Sequence, residues 1–160
     1  MTRYCIFCDA DALRSRSVVD PIESEQCLFV NSEDLDGDLL RGSGVIIPKA
    51  HRLTVFDLTP DEVQETFELL REARVVLHDR YRPDGYNIGW NCYAAGGGAP
   101  HAHMHVLLRF ADEPKAGQGI RWPLRQPDNL RADPSAPGTG STTFLGDPPS
   151  EAATRFANPS

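Results

Sequence analysis

Three histidines occupy alternate positions in the stretch GGGAPHAHMHVLLRF, residues 96–110. They are His101, His103 and His105, three of the five histidines in the chain. Alternate side chains of a β-strand share one face, so a strand here would put all three imidazoles together and the intervening apolar residues against the core. One such histidine could be an incidental polar contact on a half-exposed sheet, but three in register indicate a functional face.

Two kinds of chemistry use imidazoles in this arrangement. Three neutral imidazoles can bind zinc and leave a fourth position open for a catalytic water. Alternatively, one imidazole attacks a phosphorus atom and forms a covalent intermediate that water then releases. In the second case the middle residue, His103, is the natural nucleophile, and a charged neighbour can protonate the leaving group. The glycine-rich turn before the histidines could bring backbone N–H groups to the phosphate oxygens.

Length and composition limit the class of protein. A chain of 160 residues is expected to form one domain with a real core. Its formal net charge of −7 argues against non-specific binding to nucleic acid, which depends on neutralising phosphates. The sequence has no apolar run long enough to span a membrane and no signal-peptide pattern at its start, so we expect a cytoplasmic protein. Its four cysteines are then expected to be reduced thiols or metal ligands.

A long helix is predicted over residues 59–81. Thr59 is its expected N-cap, Pro60 its first helical residue, and Glu62 completes a capping box. Apolar residues then recur at helical spacing and predict the buried face; they are Val63, Phe67, Leu70, Ala73 and Leu77.

Strands are predicted on both sides of this helix, at 27–30, 44–48, 86–93 and 101–110. Two strands, a long helix and two adjacent strands indicate an α+β domain with an antiparallel sheet. Residues 126–160 are rich in Pro, Gly, Ser and Thr, so we expect a mostly irregular C-terminal extension after a domain at 1–125.

Several motifs together resemble the histidine triad (HIT) family. His-Ala-His-Met-His-Val-Leu at 101–107 is similar to the family signature His-φ-His-φ-His-φ-φ, in which φ is apolar. The other similar motifs are CIFC at 5–8, VIIPKAH at 45–51, FDLTPDE at 56–62 and DGYNIGWN at 84–91. All of them occur in the family's order.

The resemblance implies an α+β fold, usually a homodimer whose sheet continues across the subunits. It also implies hydrolysis or transfer of nucleotidyl groups in nucleotide conjugates. His103 would attack the α-phosphorus, and an Nδ1–H donated to a nearby backbone carbonyl would keep its Nε2 unprotonated. His105 would contact the phosphate and help to protonate the leaving group, and Asn91 matches an asparagine that contacts phosphate.

The resemblance also implies a structural zinc ion. By itself the Cys5 and Cys8 pair could be a metal site or an inert pair of thiols. In the zinc-bearing branch of the family the corresponding ligands would be Cys5, Cys8, His51 and His101. This is a closed tetrahedral set that holds the chain together and activates no water.

The chain departs from the family pattern before the triad and after the first predicted strand. Gly97 stands where a phosphate-binding glutamine is usual. Either the backbone amides of Gly96, Gly97 and Gly98 contact the phosphate instead, or the substrate is not an ordinary nucleotide. The ribose-binding acidic residue of the family should fall near Asn31, and the loop from there to His51 differs in length from that of the family.

Three hypotheses follow from these residues. The first is a hydrolase or transferase of nucleotide conjugates that works through His103 and carries a structural zinc. The second is a noncatalytic nucleotide-binding protein that lost efficient chemistry with the change at Gly97. The third is a zinc hydrolase in which His101, His103 and His105 are all metal ligands, which would leave the Cys5 and Cys8 pair without a joint role.

Overall fold

The computed structural model describes residues 5–31 and 42–129. Their helices are α1 (Ala10–Arg16) and α2 (Pro60–Tyr81), and their strands are β1 (Ile22–Glu23), β2 (Cys27–Asn31), β3 (Gly44–Pro48), β4 (Gly85–Trp90) and β5 (Met104–Arg109). Short 3-10 turns cover Ile6–Cys8, Val55–Asp57, Ala94–Gly96 and Trp122–Arg125. The predicted α+β fold is confirmed.

The five described strands form one antiparallel sheet in the order β1-β2-β3-β5-β4. Its central register pairs Val45 of β3 with His105 of β5, and His105 with Gly89 of β4. These three residues therefore lie on the same face of the sheet. Across the described ranges, neither helix combines the length and apolarity that crossing a membrane requires.

Helix α2 covers the opposite face of the sheet. Leu69, Ala73 and Leu77 are buried in one apolar cluster with residues from β2, β3 and β5, which are Cys27, Phe29, Ile46, Met104, Val106 and Leu108. On β5 burial alternates strictly from Met104 to Arg109. The even-numbered residues face α2, and the odd-numbered residues from His105 onward face away from it.

The predicted buried stripe of α2 is partly wrong. Val63 and Phe67 are 38% and 48% exposed, whereas Glu62 and Thr66 are almost fully buried. Both polar side chains can face inward because they are satisfied locally. The Thr66 hydroxyl donates to the Glu62 carbonyl at 2.7 Å, and the Glu62 carboxylate accepts from the backbone N–H of Thr59 at 2.7 Å.

Two chain segments pack on the face of the sheet opposite α2. Phe7, Ala10 and Leu13 from the N-terminal segment pack over β2 and β3. Over β4, the segment after β5 approaches so closely that a Cβ added at Gly89 would lie 3.3 Å from Ile120 Cδ1. Strand β5, with His105, lies between these two segments, because it is the strand between β3 and β4.

Only the start of the predicted extension at 126–160 lies within the described residues, because 130–160 fall outside them. The boundary after residue 125 therefore stays a prediction. The acidic connection between β2 and β3 lies outside them over residues 32–41.

We predict that Glu62→Ala lowers the free energy of unfolding by about 2–3 kcal/mol, because it removes a helix cap and leaves the Arg52 guanidinium without its carboxylate. The Arg52 Nε lies 3.0 Å from both Glu62 oxygens. Urea unfolding measures the change. Glu68→Ala on the exposed side of α2 is the matched control and should stay within about 0.5 kcal/mol of wild type. Equal stability of the two variants would refute the role of Glu62.

Candidate functional site

Four ligand-type side chains converge between the N-terminal segment and the start of β5. They are Cys5, Cys8, His51 and His101, and their ligand atoms all lie within 4.8 Å of one another. The Cys5 and Cys8 sulfurs lie 3.4 and 3.5 Å from His101 Nδ1. The Cys8 sulfur lies 3.2 Å from His51 Nδ1. Within residues 5–31 and 42–129 this is the one such group of three or more His, Cys, Asp or Glu residues.

The geometry of this group fits a tetrahedral metal ion. With metal–sulfur and metal–nitrogen bonds of about 2.3 and 2.0 Å, neighbouring ligand atoms in a zinc site lie about 3.5 Å apart. The three distances given above, 3.2, 3.4 and 3.5 Å, are close to this value, and all four ligand atoms lie within 4.8 Å of one another. Two sulfur and two nitrogen donors fill all four positions, so such a site would bind the ion without leaving a place for a reacting water.

His101 is prepared for this role by its surroundings. Its Nε2–H donates to the Pro48 carbonyl at 3.0 Å, which leaves the Nδ1 lone pair directed at the cysteines. Its side chain is fully buried. Burial lowers the pKa of His101 below its ordinary value, an effect only partly opposed by the Pro48 carbonyl. The neutral imidazole is the form that binds a metal.

His103 is buried beside His101 but points elsewhere. Its Nδ1 lies 2.8 Å from the His101 carbonyl oxygen, and since a carbonyl can only accept, Nδ1 carries the proton. The neutral ring then has an unprotonated Nε2. The Phe7 ring stacks on the imidazole at 4.7 Å with an interplanar angle of 25°. Together these contacts set both the tautomer and the orientation of His103.

His105 completes the site with Asn91. The two rings of His103 and His105 lie 4.7 Å apart in an edge-to-face arrangement. His105 Nε2 lies 3.2 Å from the Asn91 side-chain nitrogen, which donates to it. Burial, and then the nearby His103, lower the pKa of His105 below its ordinary value. A phosphate at this point would meet two imidazoles and one amide.

The prediction of three histidines along one strand is wrong. Strand β5 begins at Met104, so His101 and His103 precede it and both are buried. The segment is held by other contacts, including a backbone bond from Ala102 N–H to the Arg52 carbonyl at 2.6 Å. As a result His101 joins the group of Cys5, Cys8 and His51. The rings of His103 and His105 contact each other instead.

The glycine-rich turn does not present its amides as expected. The N–H groups of Gly96 and Gly98 donate to the Tyr93 carbonyl at 3.2 and 2.9 Å, and that of Gly97 donates to the Ala94 carbonyl at 3.0 Å. Because all three amides have acceptors within the turn, the structure does not support them as phosphate donors. Their role is to shape the turn beside Asn91.

Asn31 lies away from this site. It ends β2 on the α2 side of the sheet, and its side chain is 2% exposed. Its oxygen accepts from the Val19 N–H at 3.0 Å, and its nitrogen donates to the Gly42 carbonyl at 3.2 Å. The expected ribose contact is therefore not supported, because all the capacity of this side chain is used within the fold.

Two groups that shape the site were not predicted. Phe7 lies between the two cysteines of the CIFC motif, and nothing in its residue type predicts stacking on His103. The Pro48 carbonyl also has no sequence signal, although its position just before the Lys-x-His of VIIPKAH puts it close to a ligand.

Comparison with known proteins identifies this constellation. A profile of the HIT domain matches residues 41–112, which include Asn91 and all three triad histidines. A crystal structure of a HIT family member from Bacillus subtilis is 26% identical to the chain. Its TM-score is 0.56 over 69% of this chain and 76% of that chain. The chain is therefore similar to the histidine triad family over residues 41–112, which are 72 of its 160 residues.

Two other known proteins share the fold or part of the sequence. A Zn-bound family protein from Mycobacterium smegmatis is 23% identical, with a TM-score of 0.55 over 69% of this chain and 78% of that chain. The AP-4-A phosphorylase of Mycobacterium tuberculosis is 31% identical over 74 residues, which are 45% of this chain and 38% of that protein. The chain matches 49% of the length of a second curated relative, Protein hit from Bacillus subtilis, so it spans less than half the length of both curated relatives.

The three glycines of the turn before the triad differ in how much room they leave for a side chain. A Cβ added at Gly98 would lie 2.5 Å from the Asn91 carbonyl oxygen, whereas one at Gly97 has nothing within 4 Å and one at Gly96 makes ordinary contact. We expect Gly98→Ala to lower the free energy of unfolding by about 2 kcal/mol through overpacking. Gly97→Ala should cost about 1 kcal/mol because of its positive φ.

Urea unfolding measures the free energy of unfolding of the Gly96→Ala, Gly97→Ala and Gly98→Ala variants and so tests the predicted order of their losses. Gly96→Ala is the control and should resemble wild type. A Gly98→Ala protein as stable as Gly96→Ala would show that the turn does not pack on Asn91 as described.

Proposed function

We propose that this histidine triad protein catalyses nucleotidyl transfer from a nucleotide conjugate to water or another acceptor, through a covalent intermediate on His103. The observation that carries the proposal is the hydrogen bond from His103 Nδ1–H to the His101 carbonyl. It leaves Nε2 as the nucleophilic nitrogen. A buried, stacked imidazole in a defined tautomer is already oriented for attack.

The first step forms a bond between His103 Nε2 and the α-phosphorus. The bond from phosphorus to the leaving group breaks, and the leaving group takes the electron pair and a proton. In the second step water attacks the phosphorus, the N–P bond breaks, and the electron pair returns to Nε2. The products are the free leaving group and a nucleoside monophosphate.

His105 is the proposed proton donor. A negatively charged phosphate beside it favours the imidazolium form, and the lowered pKa of His105 favours release of that proton to the leaving group. The water that attacks in the second step restores the proton. In the neutral form of His105, Nε2 accepts from the Asn91 side-chain nitrogen. When His105 is protonated on Nε2 this hydrogen bond is lost, and the Asn91 amide is free to donate to a phosphate oxygen instead.

We assign a structural zinc ion to Cys5, Cys8, His51 and His101. The S2N2 donor set and its spacing support zinc, which prefers such tetrahedral sites. When bound, the ion cross-links the N-terminal segment to the segment before β5. The histidine triad residues His103 and His105 remain outside the ligand set, which argues against a zinc hydrolase built on all three histidines.

The substrate class is a nucleotide conjugate with a phosphoramidate or phosphoanhydride bond. The relative named AP-4-A phosphorylase supports phosphoanhydrides, although the match spans 38% of that protein. A homodimer that pairs two β4 strands is also proposed, because β4 lies at an edge of the described sheet and an unpaired edge can add a strand. A cytoplasmic location fits this chemistry.

A second candidate is a noncatalytic nucleotide-binding protein. One observation favours it: Gly97 has no side chain to contact a phosphate, and the amides of Gly96, Gly97 and Gly98 are bonded within the turn. The site then has fewer groups to stabilise charge in the transition state. A measurement of turnover of nucleotide conjugates distinguishes the catalytic candidate from the noncatalytic one.

We predict that wild type releases nucleoside monophosphate from at least one member of a panel of adenosine and guanosine phosphoramidates and dinucleoside polyphosphates. His103→Ala should lower the rate by about 10³-fold or more, since it removes the nucleophile. Chromatography quantifies the product at matched metal content. His78→Ala, which removes an exposed histidine of α2, is the control and should keep the wild-type rate.

Two outcomes would contradict the catalytic proposal. Turnover that survives in His103→Ala would exclude this nucleophile. A wild type that binds members of the panel without turning them over would favour the noncatalytic candidate.

The zinc assignment yields a separate prediction. Wild type should contain about one zinc per chain, and Cys5→Ser should lose it, because a tetrahedral site missing one thiolate binds much more weakly. Mass spectrometry of the metal content after dialysis measures the ratio. Cys92→Ser, outside the cluster, is the control and should retain zinc. Zinc retained by Cys5→Ser would instead indicate that His101, His103 and His105 bind the metal.

A further inference from the structure

Cys5 and Cys8 are close enough to bond to each other. The Cys8 N–H donates to the Cys5 carbonyl at 3.0 Å, and a turn of this kind keeps its first and fourth Cα atoms within about 7 Å. A disulfide needs Cα atoms about 4.4–6.8 Å apart. The two sulfurs already lie within 4.8 Å of each other, so rotation of the side chains is enough to bring them into bonding contact.

This pair is also the most reactive arrangement of cysteines in the described residues. Cys8 is exposed and Cys5 is half-buried, whereas Cys27 is fully buried. Cys92 is half-buried too, but it lies outside the metal cluster. Cysteines in a zinc site are held as thiolates, and the thiolate is the form that peroxides oxidise. Accessibility and chemical form therefore favour oxidation at Cys5 and Cys8.

Phe7, between the two cysteines, connects them to the proposed nucleophile. Its ring stacks on His103 with the centroids 4.7 Å apart, and it lies edge-on to His101 at 5.9 Å. On its C-terminal side the turn leads into α1, which is anchored by the buried Leu13. A disulfide must therefore be accommodated within the turn that carries Phe7, next to His103.

A second connection runs through His101. Its Nδ1 lies 3.4 and 3.5 Å from the two sulfurs, and its backbone carbonyl accepts from His103 Nδ1–H. When the sulfurs bond to each other, His101 loses their contacts and retains the hydrogen bond to the Pro48 carbonyl. The acceptor that determines the tautomer of His103 is then held less firmly.

We propose that Cys5 and Cys8 form a reversible oxidation site, at which hydrogen peroxide converts the pair to a disulfide, releases zinc and inactivates the triad. One thiolate attacks a peroxide oxygen, the O–O bond breaks, and a sulfenic acid and a hydroxide form. The other thiolate attacks the sulfenic sulfur, the S–S bond forms, and a second hydroxide leaves. The sulfurs lose two electrons, the peroxide gains them, and a dithiol reverses the oxidation.

The inactivation rests on the proposed function of His103, whereas the oxidation rests on the cysteine cluster alone. A cluster reduced to His51 and His101 has two of its four ligands and binds zinc much more weakly. Zinc release, the mass of the peptide and the state of the His103 ring can therefore be measured without any substrate.

The modification is tested on zinc-loaded wild type treated with hydrogen peroxide. A chromogenic chelator should detect the released zinc. The tryptic peptide 4–14, which contains both cysteines, should be lighter by two hydrogen atoms. Dithiothreitol followed by zinc should restore the original mass and metal content.

Two variants separate the pair from the other thiols. Cys8→Asp keeps a side chain that can bind zinc but has no second thiol, so its oxidised Cys5 should proceed to sulfinic acid, which dithiothreitol does not reduce. Cys8→His is a second variant of the same design. Cys92→Ser is the matched control and should release and recover zinc like wild type.

The coupling is tested at His103 by proton–nitrogen NMR and by turnover. In the oxidised protein the Nδ1–H form of His103 should no longer predominate, and kcat for the best conjugate of the panel should fall by about tenfold or more. Both should recover with dithiothreitol and zinc. If wild type turns over no conjugate, the proposed chemistry fails, and the NMR reading still decides the coupling.

Three results would overturn the proposal. One is zinc that stays bound in wild type at a peroxide dose that oxidises Cys92. Another is a peptide 4–14 that carries sulfinic acid in place of the disulfide. The third is a disulfide that forms while the His103 tautomer and the rate stay unchanged. If the purified protein holds no zinc, the peptide mass and the NMR reading still test the disulfide and its effect.

Discussion

The hydrogen bond from His103 Nδ1–H to the carbonyl of His101 is the contact on which the site depends. A histidine can act as a nucleophile at phosphorus only through an unprotonated nitrogen, and this bond determines which nitrogen that is. The carbonyl is a reliable acceptor because His101 itself is held. Its Nε2–H bonds Pro48, and its Nδ1 faces Cys5 and Cys8. A metal ion in this cluster would thus help to hold His103, the proposed nucleophile, in its orientation without being a group of the proposed reaction.

The rest of the fold supports this short segment from both sides. The backbone of Ala102 is bonded to the carbonyl of Arg52, whose side chain is paired with the buried Glu62 at the start of α2. Helix packing and site geometry are therefore connected through one ion pair. On the other face, Phe7 brings the N-terminal segment onto His103, and Arg109 secures the segment after β5. His103 and His105 lie between these two segments.

Much of this arrangement could be predicted from the sequence. Capping residues and turn chemistry located α2, and alternating apolar residues located β5 from Met104 onward, since both signals are local. The cluster of Cys5, Cys8, His51 and His101 is predicted by the family motifs, which relate positions far apart in the chain. Spacing alone could not show that His101 and His103 leave the strand, because the contacts that bend this segment come from Arg52 and Pro48. Nor could it show that Glu62 and Thr66 face the core. It also could not show that the Asn31 side chain hydrogen-bonds within the fold, or that Arg109 hydrogen-bonds the segment after β5. Each of these depends on which hydrogen-bond partners the tertiary fold supplies.

The tautomer of His103 is the most direct measurement of the central claim. Long-range proton–nitrogen NMR on protein with 15N-labelled histidine distinguishes a protonated from an unprotonated ring nitrogen. The proposed mechanism predicts Nδ1–H and an unprotonated Nε2 for His103 in the free, metal-loaded protein, with the assignment made by comparison with His103→Ala. A proton on Nε2 with a bare Nδ1 would contradict it, because the nitrogen that faces the phosphate could then not attack.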